Sequence, residues 1–294
     1  MIDLHSHTWF SDGALPPLEL VERAHERDVR HLAITDHDSL GAHHVLREQH
    51  LPEGLELIPG VEISCRWENL EIHVLGLLVN IDNPGLLTLL ATQQQRRRDR
   101  AAAFDMAMQR AGICGLEKHL QSLPCEAVGR VHMAEFLIQQ GHARNMQHAF
   151  SKFLGSRGRF YQKAEWCSLE EAITAIHAAN GLALMAHPDR YPVSRPKFRR
   201  LLDEFGAASG DGLEASYSNL NVDSLKHLTD ECVRRNWWAS VGSDFHSADN
   251  HWMDLGRIRR LPPSCEAHAI WHHPRWAQIA SAVTHAPARS TPVS

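Results

Sequence analysis

The residues best suited to chemistry begin in the first dozen positions of the chain. His5 and His7 stand two positions apart in residues 2–7, which open with an apolar residue and are predicted to form a strand. Because side chains alternate across a strand, both imidazoles project from the same face. Asp12 follows five residues after His7 and offers an anionic oxygen beside these nitrogen ligands. The spacing therefore predicts a metal site where the first strand ends.

More histidines and acidic residues occur where later predicted strands end. His37 follows a strand predicted at 31–35, and Glu62 closes one predicted at 55–63. The others are His73 within or just after 70–79, His187 after 182–186, and Asp244 and His246 after 238–241. In parallel α/β folds, sites are built at the carboxyl ends of strands. Residues from so many strands can converge only if the sheet curls, so the pattern favours a barrel or a strongly curved sheet.

The types of these side chains restrict the metal and the reaction. Imidazole and carboxylate without thiolate suit zinc, manganese or iron, and disfavour soft metals and iron–sulfur clusters. The set is too large for one ion but sufficient for two or three ions that share a bridging carboxylate. Such clusters generate hydroxide near neutral pH and stabilise phosphoryl transfer. The residues alone therefore indicate a metal-dependent hydrolase and favour a phosphoesterase.

Composition excludes several other classes of protein. The 294 residues contain six scattered cysteines without a C-x-x-C pair, which predicts reduced thiols and a cytoplasmic location. We find no apolar run of about 18 residues and no signal-peptide pattern, so no membrane association is expected. A formal net charge of −5 argues against a surface that coats nucleic acid generally, although a local basic site is compatible with it. No obligate protein partner is evident.

Strand and helix patterns alternate over most of the chain. Helices are predicted at 15–27, 40–50, 169–180, 197–205 and 223–235 between the strands, which indicates an α/β fold with a parallel sheet. The alternation stops between 84 and 165, where a long helix at 84–111 and shorter helical pieces predict a helical insertion domain. Residues 1–83 and 166–294 would then form one discontinuous barrel domain and 84–165 a cap. The last thirty or so residues are predicted to be an irregular tail.

Six motifs in this order resemble those of the PHP (polymerase and histidinol phosphatase) superfamily. They are D-L-H-S-H-T-x-x-S-D-G from Asp3, T-D-H-D from Thr35, G-V-E from Gly60, E-I-H-V-L-G from Glu71, A-H-P from Ala186 and G-S-D-F-H from Gly242. The helical insertion and its Gly129-Arg130-Val131-His132 further resemble one branch. That branch contains nucleoside 3′,5′-bisphosphate phosphatases and RNase AM-like 5′→3′ exoribonucleases acting on short RNA.

The resemblance implies a distorted (βα)7 barrel with a helical insertion domain and a trinuclear centre of manganese, iron or zinc. Mn²⁺ is the expected ion. One metal would lie among His5, His7, Glu62 and Asp244. A second would take Asp12, His37 and His246, and a third would take Glu62, His73 and His187, with Glu62 as the bridge.

The branch also implies a substrate and roles for further residues. The reaction would remove the 3′-phosphate of a nucleoside 3′,5′-bisphosphate to leave a 5′-nucleotide, and would trim short 5′-phosphorylated oligoribonucleotides. Arg130 would hold a phosphate bidentately. His132 would be a third-metal ligand, a phosphate contact or only a helix residue. Asp12, His187 or His246 would position the reacting groups or transfer a proton, and Asp12 would also contact substrate. The Arg96–Arg100 cluster is interpreted first as a solvated helix face and second as a nucleotide or RNA contact.

Two other functions remain as alternatives. A histidinol-phosphate-type phosphatase on the same barrel would act on a small amine phosphate and would need no nucleobase pocket. A non-catalytic PHP interaction module would be expected to have lost metal ligands, whereas this chain retains every motif position.

Overall fold

The computed structural model describes residues 1–277 of the chain. Eight strands are described: β1 Ile2–Asp3, β2 His31–Ile34, β3 Glu56–Trp67, β4 Leu70–Leu77, β5 Cys167–Ser168, β6 Leu182–Met185, β7 Gly212–Tyr217 and β8 Trp238–Gly242. The α-helices are α1 Pro17–Glu26, α2 Gly41–Leu46, α3 Pro84–Gln109, α4 Leu116–Gln121, α5 Arg130–Gln139, α6 Met146–Ala149, α7 Leu169–Ala178, α8 Arg195–Ala207 and α9 Val222–Arg235. A π-helical turn at Phe150–Leu154 follows α6.

Local sequence signals define where several of these helices begin. Proline occupies the first turn of α1 and α3, where its missing N–H has no intrahelical partner. The Asn83 side chain caps α3 by accepting a hydrogen bond from the Leu86 N–H. Ser168 and Glu171 form a reciprocal capping box at the start of α7.

The sheet has the order β1-β2-β3-β4-β6-β7-β8, and β5 pairs with β3. Its two ends approach each other beyond the last regular pairs: Leu4 N–H donates to the Val241 carbonyl at 2.9 Å, and His7 N–H donates to the Phe245 carbonyl at 2.9 Å. The Asp244 N–H also donates to the His5 carbonyl at 2.8 Å. The seven strands therefore form the nearly closed barrel that the convergence of the ligands required.

The prediction of an all-parallel sheet is wrong at β4. This strand runs antiparallel to both β3 and β6, whereas β1-β2-β3 and β6-β7-β8 are parallel. Only Glu68 and Asn69 connect β3 to β4, and Glu68 has a φ of 51°. Two residues suffice for a hairpin but cannot make the crossover that a parallel pair needs.

Apolar side chains form separate clusters inside the barrel, outside it and within the helical segment. Leu4, Ile58, Leu75 and Leu184 pack inside the sheet, and a larger cluster fills the space between the sheet and α7, α8 and α9. The segment between β4 and β5 has its own cluster, which includes Phe104, Leu116, Leu137 and Phe153. The division into a barrel and an 84–165 cap domain stays a prediction.

The predicted irregular tail contains short 3₁₀ turns at Glu266–His268 and Ile270–His272. Its part from 278 to 294 lies outside the described residues.

Within residues 1–277, no helix has both the length and the apolar character needed to cross a membrane.

Candidate metal centre

All nine sequence-predicted ligands lie together at one mouth of the barrel. Three overlapping groups bring ligand atoms within 4.8 Å of one another: His5, His7 and Asp244; His7, Asp12, His37 and His246; and His37, Glu62 and His73. His187 adjoins the third group through its contact with Glu62. The structure thus unites residues that come from both ends and the middle of the chain.

The first group lies on the seam that closes the barrel. The Nε2 atoms of His5 and His7 are 3.1 Å apart, and Asp244 Oδ1 lies 3.4 Å and 3.3 Å from them. Glu62 Oε2 is 3.4 Å from each of the same nitrogens. Backbone hydrogen bonding between the first and last strands therefore sets this arrangement directly.

The second group surrounds Asp12 in the loop after β1. Asp12 Oδ1 lies 3.3 Å from His246 Nε2 and 3.7 Å from His7 Nδ1, and Oδ2 lies 3.8 Å from His37 Nε2. Asp36 fixes this loop by accepting hydrogen bonds from the Thr8 N–H, the Thr8 hydroxyl and the Ser11 hydroxyl. The carboxylate of Asp12 is thereby directed at the three histidines.

Glu62 is central to the third group. Its Oε1 lies 3.0 Å from both His73 Nδ1 and His187 Nε2, and its Oε2 lies 2.9 Å from His37 Nδ1. Glu62 was predicted at the end of a strand, but it lies in the middle of β3, where it pairs with Leu75 of β4. The strand is longer than predicted because residues 64–67 continue it by pairing with β4 and β5.

The residues present fit a cluster of metal ions. Four buried ligand atoms make no hydrogen bond of acceptable geometry, even where a polar atom lies as near as 2.9 Å: Asp12 Oδ1, His37 Nδ1, Glu62 Oε2 and His187 Nδ1. Buried polar atoms without partners are costly, and a cation would satisfy them. An imidazole and carboxylate set also matches the preference of manganese, iron and zinc.

The electrostatics of the cluster keep its carboxylates ionised. Burial opposes ionisation, but the surrounding histidines hold the pKa of Asp12, Glu62 and Asp244 well below the usual range. Burial likewise opposes protonation of His246, yet Asp12 and Asp244 raise its pKa to about 10. The pKa of His7 is lowered to about 3, first by its burial and then by the charge of His246. Metal cations would replace the protons that balance these carboxylates, so binding would release protons.

Two residues that the motifs did not single out support the ligands. Glu214 on β7 is fully buried and accepts hydrogen bonds from His5 Nδ1 at 2.9 Å and from the His187 N–H at 2.6 Å. Arg190 forms an ion pair with Asp244, and its guanidinium lies 4.9 Å from the centre of the Tyr217 ring. A lone acidic residue within the apolar run of β7 was the available signal for Glu214.

Arg130 lies at a small basic cavity beside the cluster. This cavity of about 200 Å³ is lined by Arg97, Arg100 and Arg130 together with Asp12, His37 and His73. Arg130 Nη2 is 3.4 Å from Glu71 Oε2, so this carboxylate partly neutralises the positive charge of Arg130. The interpretation of Arg96–Arg100 as a solvated face is wrong for Arg97 and Arg100, whose side chains are 7% and 8% exposed. Because they are three residues apart on α3, both side chains lie on the same face of the helix, and this face is turned inward.

His132 lies in the first turn of α5. Its Nδ1 accepts a hydrogen bond from the Gly129 N–H at 3.0 Å, so the ring caps the helix. It also lines a cleft that contains Asp12 and His246. It does not belong to any of the three groups that could hold a metal among the described residues.

A nearly closed seven-stranded sheet carrying a His/Asp/Glu cluster at its mouth defines the class of protein. The chain belongs to the PHP domain family, whose model matches residues 3–206. A relative from Salmonella typhimurium named 5′-3′ exoribonuclease Rnm is 40% identical over 280 residues, covering 94% of this chain and 95% of the relative. A 3′,5′-nucleoside bisphosphate phosphatase from Chromobacterium violaceum is 34% identical over 273 residues, covering 92% of this chain and 95% of that protein.

A solved structure agrees with the fold over nearly the whole chain. An amidohydrolase from Chromobacterium violaceum, with bound sulfate and no metal, superposes with a TM-score of 0.82 at 33% identity. The match covers 95% of this chain and 96% of the other. The family resemblance and the barrel predicted from the sequence are therefore confirmed.

Proposed function

We propose that this protein is a metal-dependent phosphoesterase that removes the 3′-phosphate from nucleoside 3′,5′-bisphosphates and releases 5′-nucleotides. The same site would trim short 5′-phosphorylated oligoribonucleotides from the 5′ end. Both reactions break the bond between a 3′ oxygen and phosphorus in a nucleotide that carries a 5′-phosphate. The observation that carries the proposal is the basic cavity lined by Arg97, Arg100 and Arg130, which adjoins the His/Asp/Glu cluster through Asp12, His37 and His73.

A second phosphate is what distinguishes this substrate from a simple monoester. Guanidinium groups bind phosphate through paired, charge-assisted hydrogen bonds. Arg130 is the best placed of the three arginines for a ligand, because its side chain is 28% exposed whereas Arg97 is committed to Asp38. A 5′-phosphate bound to Arg130 would hold the nucleotide while the 3′-phosphate lies against the metal cluster. The names of the exoribonuclease and bisphosphate phosphatase relatives support this substrate class.

The proposed cofactor is Mn²⁺, as two or three ions, with iron or zinc as alternatives. His5, His7, Glu62 and Asp244 would hold one ion. Asp12, His37 and His246 would hold a second, and Glu62, His73 and His187 a third. When bound, such ions supply hydroxide at neutral pH and neutralise charge on the phosphoryl oxygens.

The protein's own groups would orient the ester and move the proton. Arg130 would fix the nucleotide, and Glu214 would hold the rings of His5 and the backbone of His187 in place. The 3′ oxygen needs a proton as it leaves, and we assign this transfer to the set Asp12, His187 and His246.

The proposed location of the protein and its substrate is the cytoplasm. All six cysteines are free, including Cys65 and Cys167, whose sulfurs are 3.9 Å apart without a bond, which fits a reducing compartment.

Phosphate release with Mn²⁺ added tests the proposal, with adenosine 3′,5′-bisphosphate compared with histidinol phosphate. We expect kcat/KM to favour the bisphosphate by about a hundredfold, which corresponds to about 2.7 kcal/mol of transition-state discrimination. A preference for histidinol phosphate would retain the metal centre but replace the substrate with that of the alternative phosphatase.

A further inference from the structure

A second and larger cavity opens onto the metal cluster. This cleft of about 610 Å³ contains Asp12, Asp244 and His246, and its walls include Trp9, Leu123 and Met146. It shares Asp12 and Val131 with the basic cavity. A phosphoryl group at the cluster would therefore have two neighbouring spaces for its substituents.

The two cavities differ in charge. Three arginines line the basic cavity, whereas no lysine or arginine of residues 1–277 lines the cleft. Apart from the candidate metal ligands Asp12 and Asp244, the cleft contains the carboxylates of Glu135 and Asp249. A phosphate would be repelled by these carboxylates, because like charges in close proximity are unfavourable. The cleft is therefore suited to an uncharged part of a substrate.

Trp9 gives this cleft an aromatic wall. Trp9 is 39% exposed, and Met146, which also lines the cleft, is 37% exposed. The backbone holds Trp9 in place, since its N–H donates to the Leu15 carbonyl at 2.9 Å. The indole N–H has no hydrogen-bond partner among the described residues. Exposed aromatic rings bind nucleobases by stacking, with little dependence on the base.

We propose that this cleft binds the second nucleoside of an oligoribonucleotide and that Trp9 stacks on its base. This inference rests on the proposed function. The terminal nucleotide would lie toward Arg130 with its 5′-phosphate, and the second nucleoside would extend from the scissile phosphorus into the cleft. A water oxygen bonds to phosphorus, the bond from phosphorus to the 3′ oxygen breaks, and that oxygen takes a proton. The second nucleoside leaves the site carrying the phosphate as its new 5′-phosphate.

The test compares two substrates, because a bisphosphate has no second nucleoside. Wild type and Trp9→Ala are assayed with Mn²⁺ on a 5′-phosphorylated adenosine dinucleotide and on adenosine 3′,5′-bisphosphate. We expect the ratio of kcat/KM for dinucleotide over bisphosphate to fall about tenfold in Trp9→Ala. Trp9→Phe should restore most of this ratio. Trp252→Ala is the matched control, because Trp252 is 68% exposed but does not line the cleft, and it should keep the wild-type ratio.

A substrate change gives the same information without a variant. Wild type acting on a dinucleotide whose second nucleoside lacks its base should show a similar tenfold loss, and Trp9→Ala should lose little more on that substrate. An unchanged ratio in Trp9→Ala, or no effect of removing the second base, would overturn the inference. Hydrolysis of the bisphosphate without any cleavage of the dinucleotide would overturn it and leave the phosphatase function intact. Inactivity of the wild type on both substrates would refute the proposed function itself and the inference with it.

Discussion

Arg97 and Asp38 form a buried ion pair that joins helix α3 to the loop after β2. Arg97 Nε donates to Asp38 Oδ2 at 2.8 Å, and Nη2 lies 2.6 Å from the same oxygen. Asp38 Oδ1 accepts a hydrogen bond from the Ser64 N–H at 3.0 Å. Because Asp38 follows His37 directly, this pair connects the helical segment to the loop that carries one of the candidate ligands.

Asp38→Asn should destabilise the protein strongly, because it leaves the Arg97 charge buried without its partner. We expect the free energy of unfolding to fall by about 3–5 kcal/mol, measured by chemical denaturation. Adding Arg97→Met should recover part of the loss, since no buried charge remains. Asp82→Asn, which breaks an exposed pair with Arg47, should have no measurable effect. Equal stability of the Asp38 and Asp82 variants would contradict a structural role for the buried pair.

Asp244→Asn should abolish phosphate release and weaken metal binding. The change removes an anionic oxygen that lies 3.4 Å from His5 Nε2 and 3.3 Å from His7 Nε2. We expect bound manganese, measured by elemental analysis after dialysis, to fall well below that of wild type while the circular dichroism spectrum is retained. Asp230→Asn on the exposed face of α9 is the matched control and should behave as wild type. Wild-type turnover by the Asp244 variant would remove this residue from the metal centre.

Arg130→Ala should affect substrates according to whether they carry a second phosphate. The guanidinium lines the basic cavity beside His37 and His73, and a bidentate phosphate contact would be lost. We expect kcat/KM for adenosine 3′,5′-bisphosphate to fall at least about tenfold more than kcat/KM for an aryl phosphate. Arg98→Ala removes an arginine that does not line this cavity and should change neither value. Equal losses on both substrates would show that Arg130 does not bind the 5′-phosphate.

His43 should make the protein less stable in acid. Burial lowers its pKa to about 4, and its Nε2 lies 2.8 Å from the Ile34 carbonyl oxygen and 3.0 Å from that of Gly60. In the unfolded chain His43 takes up a proton near its ordinary pKa of about 6.5. The buried, neutral imidazole therefore contributes its full stabilisation to the folded state above that pH. This stabilisation, about 3 kcal/mol of the free energy of unfolding, is lost as the pH falls through about 4.

The measurement is the free energy of unfolding between pH 7 and pH 4. His43→Gln retains a donor for the two carbonyls but does not titrate, so its stability should fall less steeply with decreasing pH. His50→Gln, at an exposed position, should follow the wild-type curve. Identical slopes for the His43 variant and wild type would exclude His43 as a source of the acid lability.

Local spacing was enough to predict that these candidate ligands would converge and that the sheet would curve. His5 and His7 share a face because strands alternate, and the polar ends of successive strands could converge only around a barrel. These inferences depended on short stretches of sequence and on a rule of topology. The strands β2, β6 and β8 accordingly lie close to their predicted positions.

The features that were missed depend on pairing between distant segments. The direction of β4 follows from the two-residue connection at Glu68 and Asn69, which was not distinguished from a longer crossover. The central position of Glu62 in β3 requires partners from both β2 and β4. The roles of Glu214 and of the inward-facing Arg97 and Arg100 depend on which groups meet them across the fold, and periodicity along one element carries no such information.

Closure of the barrel by its first and last strands has a consequence for synthesis of the protein. His5 and His7 are translated first, but they meet Asp244 and His246 only after the last strand has left the ribosome and paired with the first. A nascent chain therefore carries six of the nine candidate ligands long before it can assemble the centre. The centre cannot form, and hydrolysis cannot begin, until residues 238–246 have been synthesised and β8 has paired with the first strand region.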